Sequence, residues 1–204
     1  MGKLIKFDRI HFVTSALKPS EFPTLKTSRS GDLPEIAIVG KSNVGKSSLI
    51  NSLFQGKSVA KASSTPGKTQ RINFFCVDDL ALLVDLPGYG YAKAAKELVH
   101  EWGESIDYYL NHRNTLKLIL ILIDLRRLPD EDDLKIARWA ESKQIPILVI
   151  FTKQDKLTAL EIKKNLETNL SFFPPDTLYL PYSSKRSFER TKLIQMINKG
   201  LVWD

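Results

Sequence analysis

Eight consecutive residues carry the strongest chemistry in the chain. Gly40-Lys41-Ser42-Asn43-Val44-Gly45-Lys46-Ser47 fits the spacing G-x-x-x-x-G-K-[ST]. Glycines at those positions let backbone N–H groups turn inward and cradle phosphate oxygens. The start of a following helix adds partial positive charge. Lys46 can reach β- and γ-phosphates, and the Ser47 hydroxyl can bind Mg²⁺. Taken alone the pattern says only that phosphate is bound, because kinases, ATPases and GTPases share it.

Three further stretches narrow the chemistry. Asp85-Leu86-Pro87-Gly88 follows an apolar run, the placement of a carboxylate that holds Mg²⁺, and Gly88 can offer its N–H to a γ-phosphate. Thr152-Lys153-Gln154-Asp155 follows another apolar run. The Asp155 carboxylate can accept from N1–H and N2–H₂ of guanine together, where adenine would present an acceptor. The Lys153 stem can lie along the base. Thr152 replaces the usual asparagine of N-K-x-D; its hydroxyl can tie the loop but cannot make both contacts of an amide. Tyr182-Ser183-Ser184, after the last apolar run, can present a backbone N–H to guanine O6. Between the first two motifs lies Ser63–Gln70, where Thr65 and Thr69 both have the chemistry to coordinate Mg²⁺ and sense the γ-phosphate.

The elements that must position these residues follow from apolar patterning. Strands are expected over residues 35–39, 71–77, 80–85, 116–124, 147–151 and 177–180, with Asp78-Asp79 as a hairpin turn. Helices are expected over 46–54, 97–111, 130–142, 160–170 and 188–199. Residues 57–68 and 85–93 read as loops, from their Pro and Gly content. Apolar strands alternating with helices give an α/β fold with a mostly parallel six-stranded sheet flanked by helices on both faces. Residues 1–33 carry Pro19 and Pro23 and read as an irregular N-terminal extension packing on the main domain, residues 34–204.

Composition limits the alternatives. A chain of 204 residues, 43% of them apolar, can bury a full core as a single domain. Its one cysteine, Cys76, cannot form an internal disulfide and reads as a buried bystander. No apolar run is long enough to span a membrane, which points to a cytoplasmic protein. His11, His100 and His112 show no metal-ligand spacing with Cys76. The net charge of +7 is uneven: residues 36–77 hold six basic residues and no acidic one. Polyanions, a nucleotide or RNA, are expected to approach that block.

With these motifs in this order the chain resembles the small GTPases of the Era/Der/TrmE type, and more narrowly the EngB (YihA/YsxC) family of ribosome-biogenesis GTP-binding proteins. The residues that carry the likeness are Gly40–Ser47, Ser64–Gln70, Asp85–Lys93, Trp102 with Tyr109, and Thr152–Asp155, whose T-K-x-D is that family's own variant. The resemblance implies a Ras-like P-loop fold, binding of GTP and GDP with Mg²⁺, and a role in large ribosomal subunit assembly linked to cell division and septation. It implies Mg²⁺ ligands at Ser47 and Thr69, which decides between the two threonines, and a nucleotide-binding loop through Gly67, Lys68, Thr69, Gln70 and Arg71. Lys41 stands where many members have Arg, and its side chain is expected to point outward. Asn43 has two readings: a loop-stabilising residue, or a ligand for K⁺ set against the phosphates in place of an arginine finger.

Catalysis is then expected to rest on Lys46, Thr69 and Gly88. Ras-type enzymes orient the attacking water with a glutamine after D-x-x-G, whereas this chain has Tyr89. Slow intrinsic turnover follows, stimulated by a partner. The expected partners are guanine nucleotide and the rRNA and proteins of the large subunit, with the chain a monomer. Lys57, Lys61, Lys68, Arg71, Lys185, Arg186, Arg190 and Lys192 are candidates to meet rRNA phosphates. The competing reading is a non-enzymatic GTP-gated RNA- or ribosome-binding module.

Overall fold

A computed structural model describes residues 4–26, 31–55, 71–89 and 96–201, the last with backbone only over 96–103. Seven strands form one sheet: β1 (Ile10–Ala16), β2 (Glu35–Gly40), β3 (Ile72–Val77), β4 (Ala81–Asp85), β5 (Leu116–Asp124), β6 (Ile147–Thr152) and β7 (Leu178–Pro181). Their order is β1-β3-β4-β2-β5-β6-β7. The pairs β1–β3 and β3–β4 are antiparallel, and the other four are parallel. Helices α1 (Lys46–Leu53), α2 (Lys96–His112), α3 (Glu131–Ser142), α4 (Ala159–Leu170) and α5 (Ser187–Gly200) complete the fold.

Strand β2 shows why the sheet is central. All six of its residues are buried. Ile36 and Ile38 face a core shared with Leu49 and Leu53 of α1 and Leu193 and Ile197 of α5. Ala37 and Val39 face a second core with Tyr109 of α2 and Ala137 and Ala140 of α3. A strand buried on both faces reads as a continuous apolar run, and its two-residue period assigns alternate side chains to the two layers.

The seventh strand corrects the six-stranded expectation and the irregular reading of residues 10–16. β1 adds to the β3 edge, with His11 opposite Cys76 and a register shift between Phe12 and Thr14. The N-terminal segment ahead of it is also built in. Ile5 and Phe7 are buried, and Asn198 of α5 exchanges two hydrogen bonds with the Ile5 backbone at 2.9 and 2.8 Å. The anticipated hairpin turn is present, with Asp78 and Asp79 both left-handed at φ 54° and 57°, as a two-residue turn matched to strand twist requires. Asp78 has a second task. Its carboxylate accepts from the backbone N–H groups of Lys6, Phe7, Asp8 and Arg9 at 2.7–3.0 Å, pinning the chain start to the hairpin.

Candidate guanine-nucleotide site

The carboxyl ends of β2, β4, β5 and β6 converge on one edge, where ligands bind in open parallel sheets. β2 ends at Gly40, whose φ of 152° and close packing leave no room for a side chain: a Cβ there would lie 2.8 Å from the Leu122 carbonyl and 2.9 Å from Val44. The chain then turns through Asn43 (φ 62°) and Gly45 (φ 119°) into α1. Such positive-φ positions aim successive N–H groups into one concavity.

Lys46 opens α1, and its Nζ donates to the Gly40 carbonyl at 3.1 Å. Burial pushes its pKa down, opposed in part by the charge of Asp85. Asp85 ends β4 opposite Asn73. Its Oδ1 is buried with no hydrogen-bond partner. Desolvation raises the carboxyl to about 6, against the pull of Lys46 and a hydrogen bond from Asn73. Leu86 and Pro87 are buried beyond it. Gly88 lies directly in front of the lysine: a Cβ at 88 would be 2.7 Å from Lys46 Nζ and 2.9 Å from Ser42 Oγ.

At the other end β6 delivers Thr152, whose Oγ1 lies 2.8 Å from the Val44 carbonyl and 3.3 Å from that of Ile123. One hydroxyl therefore ties the phosphate loop to two strands. Lys153, left-handed at φ 60°, sends Nζ to the Asn43 carbonyl at 2.8 Å and to Asp124 at 3.1 Å. Burial would push the Asp124 carboxyl up, but Arg126 and Lys153 outweigh it and hold the group ionised. Asp155 accepts from Ser183 Oγ at 2.9 Å through Oδ1 and pairs with Lys185 at 3.0 Å through Oδ2. Burial works against its charge, and those two partners more than offset it, so its pKa is lowered. Gln154 is buried, with its N–H on the Tyr182 carbonyl. Tyr182 is buried against Ser52 at 2.6 Å. The Ser183 N–H is taken by Glu189, and Ser184 is exposed.

The structure thus brings 40–47, 85–88, 152–155 and 182–184 to one edge. Gly67, Lys68, Thr69 and Gln70 lie outside the described residues, as do Thr65 and the loop expected over 57–68. Arg71 is described; it is exposed and donates to the Ser15 carbonyl at 3.3 Å. Lys41 does not simply point outward. It pairs with Asp130 at 2.7 Å, because the turn before α3 passes beside the phosphate loop. Of the residues expected to meet rRNA, Arg190 is committed inside the protein, to the carbonyls of Leu53 (2.7 Å) and Phe7 (3.0 Å), while Lys185 pairs with Asp155 at 3.0 Å and stays exposed.

Sequence reasoning missed Asp124, Asp130 and Asp133, which reach the site from the end of β5, the N-cap of α3 and its first turn. The signal was present as an aspartate ending β5, the same placement that singled out Asp85. A metal-donor group also escaped the spacing argument: His11, Cys76 and Asp79 hold ligand atoms within 4.8 Å of one another across the β1–β3 edge. Asp79 also pairs with Arg9 at 3.1 Å, and within the group it accepts from the Cys76 thiol at 3.9 Å. Burial and the neighbouring aspartates push that thiol up. Cys76 is buried, as expected.

Residues 35–153 match the family described as 50S ribosome-binding GTPase. The chain belongs to that family. Among curated relatives it is 40% identical over 191 residues to a probable GTP-binding protein EngB of Protochlamydia amoebophila (strain UWE25), covering 93% of each chain. It is 47% identical over 156 residues to a probable EngB of Pelobacter propionicus (strain DSM 2379 / NBRC 103807 / OttBd1), covering 76% of this chain and 75% of that one. A crystal structure of a probable EngB superposes with a TM-score of 0.67 at 21% identity, over 82% of this chain and 98% of that one, a likeness of fold. Era in complex with MgGDPNP and nucleotides 1506–1542 of 16S ribosomal RNA gives a TM-score of 0.67 at 26% identity, over 84% of this chain and 58% of that one. This EngB-type member of the 50S ribosome-binding GTPase family is accordingly a GTP-binding protein and a GTPase with the α/β P-loop fold. Among the described residues no helix is long and apolar enough to cross a membrane.

Proposed function

We propose that this GTPase is a monomeric cytoplasmic switch in assembly of the large ribosomal subunit, and that normal cell division and septation depend on it. Residues 34–204 form the G domain in this reading, and 1–33 an extension packed on it. The observation that carries the nucleotide part is the linkage of a phosphate loop to a charged base loop through Lys153–Asn43 and Thr152–Val44. The ribosomal part is supported by the family match over 35–153.

In this reading the N–H groups of 40–47 hold the phosphates, Lys46 bridges their β and γ oxygens, and Asp155 reads guanine, with the Ser183–Ser184 loop beside O6. For that, a guanine edge must share or displace the Ser183 and Lys185 contacts of Asp155. The residues present fit Mg²⁺. Asp85 Oδ1 is a buried oxygen without a partner, and hydroxyl and carboxylate oxygens are the donors this hard cation takes. Ser47, Asp85 and, from the resemblance, Thr69 would hold it. When bound, Mg²⁺ would supply positive charge to offset that of the phosphates. Gly88, whose missing side chain leaves space beside Lys46, would offer its N–H to the γ-phosphate. Asn43 is the residue to examine for K⁺.

The test is sedimentation of the protein with large ribosomal subunits in GTP analogue, GDP and no nucleotide. Co-sedimentation should be strongest with the analogue, since a ligand shifts binding only through a difference between states. With Arg190 committed internally, fewer cations remain for rRNA, and the log–log salt slope should be about −2 to −4. Equal sedimentation in all three conditions would refute the switch reading.

A further inference from the structure

We propose that Asp133 is a positioning residue for the triphosphate end of the site, acting through the Tyr89 hydroxyl to fix Gly88 over Lys46. The inference rests on the nucleotide reading above and goes beyond it, because Asp133 lies in α3, outside every phosphate- and base-binding motif.

The first turn of α3 holds two loops at once. Asp130 caps the helix: its Oδ1 accepts from the Asp133 N–H at 3.1 Å, while its Oδ2 takes the ammonium of Lys41 in the phosphate loop at 2.7 Å. Asp133 returns the cap, its Oδ2 accepting from the Asp130 N–H at 3.0 Å. Its Oδ1 is then left to accept from the Tyr89 hydroxyl. Reciprocal capping fixes the rotamers of both acids. One acid grips the loop before α1 and the other grips the loop after β4.

Those two loops are also stitched to each other. Tyr89 pairs with Lys41 as a parallel bridge. The Tyr89 carbonyl accepts from the Ser42 N–H at 3.1 Å, and Ser42 Oγ reaches the Gly88 carbonyl at 3.2 Å. Gly88 sits one residue before the tyrosine, against Lys46 Nζ. Moving the Tyr89 ring therefore moves the Gly88 N–H relative to the lysine. Apolar packing holds this corner only in part, with Tyr89 half-buried against the core beside Leu86. A cavity of about 280 Å³, lined in part by Lys41, Ser42, Asp124, Asp130 and Asp133, separates the phosphate loop from α3. Side-chain arms span it. Asp133 itself is buried, and a buried carboxylate needs its partners kept.

A tether on Gly88 matters only to the nucleotide that has a γ-phosphate. This separates positioning from general support of the fold. The experiment is titration of wild type, Tyr89→Phe, Asp133→Asn and the double variant with GDP and with a non-hydrolysable GTP analogue, with thermal melting of each. Tyr89→Phe removes the one hydroxyl that ties the ring to Asp133 and leaves the rest of the side chain unchanged. Analogue affinity should fall about tenfold in that variant, the equivalent of one hydrogen bond to a charged group. GDP affinity should change less than about twofold, and the double variant should be no worse than the weaker single. Additive losses, or equal losses for GDP and analogue, would overturn the proposal; so would unchanged analogue affinity in Tyr89→Phe. Failure of wild type to bind GDP at all would instead refute the nucleotide reading on which it rests.

Discussion

The two ends of the site differ in how complete they are. At the base end every charged group has a protein partner. Asp155 has Ser183 and Lys185, Lys153 has Asn43 and Asp124, and Thr152 reaches two carbonyls. At the phosphate end the groups oppose their surroundings. Asp85 keeps a buried oxygen without a partner, and its carboxyl is raised to about 6. Lys46 is desolvated, with its pKa depressed. The base end is internally satisfied, so a guanine edge would have to share or exchange the contacts of Asp155 with Ser183 and Lys185. The phosphate end carries unfavourable electrostatics that a Mg²⁺-bound polyphosphate would relieve. Binding energy can then be concentrated where diphosphate and triphosphate differ.

The largest expected effect breaks the phosphate end. Lys46→Ala removes the cation set against Gly88, and triphosphate affinity should fall by about 3 kcal/mol or more in a fluorescence titration. Retained affinity would mean that the lysine does not meet phosphate. Asp155→Asn breaks the base end instead. It should weaken GDP binding by about 2 kcal/mol and raise affinity for xanthosine diphosphate, whose 2-oxo group suits the amide donor. Unchanged GDP affinity would remove the base assignment. A smaller change sharpens the link between the ends. Thr152→Val deletes the hydroxyl that reaches Val44 and should cost about 1 kcal/mol of stability by denaturant unfolding, with GDP and triphosphate affinities falling together.

Much of this was legible in the sequence, because each motif sits where a buried apolar strand ends and the strands declare themselves by composition. Gly40 and Asp85 end such strands, while Lys46 opens the helix after β2 and Asp155 lies in the turn after β6. β1 was hidden because an edge strand is half-exposed and lacks a continuous apolar run; its pattern is mixed, and Pro19 and Pro23 follow it. Its β-branched and aromatic residues, Ile10, Phe12, Val13 and Thr14, were the available signal. The committed roles of Lys41, Lys185 and Arg190 were illegible for another reason. A surface lysine and one paired across the fold look alike in sequence, and only the turn before α3 or the packing of α5 tells them apart. Asp133 reads as an ordinary first-turn acid until Tyr89 is seen against it.

The contrast between the ends is tested most directly by stability without nucleotide. Asp85 and Asp133, both raised to about 6, bind a proton more tightly folded than unfolded. Their contribution is fully present below the unfolded carboxylate range, near pH 4, and is lost as pH rises through 6. At pH 8 the Asp85 charge is therefore a net cost to the fold, while the Asp155 charge, with its lowered pKa, is a net gain. The decisive measurement is the melting temperature of nucleotide-free wild type, Asp85→Asn and Asp155→Asn at pH 8. Asp85→Asn should be more stable than wild type by about 1 kcal/mol, or about 2–4 °C, with the gain disappearing toward pH 4. Asp155→Asn should be less stable. If both variants melt below wild type, the phosphate end is as complete as the base end, and the account is contradicted.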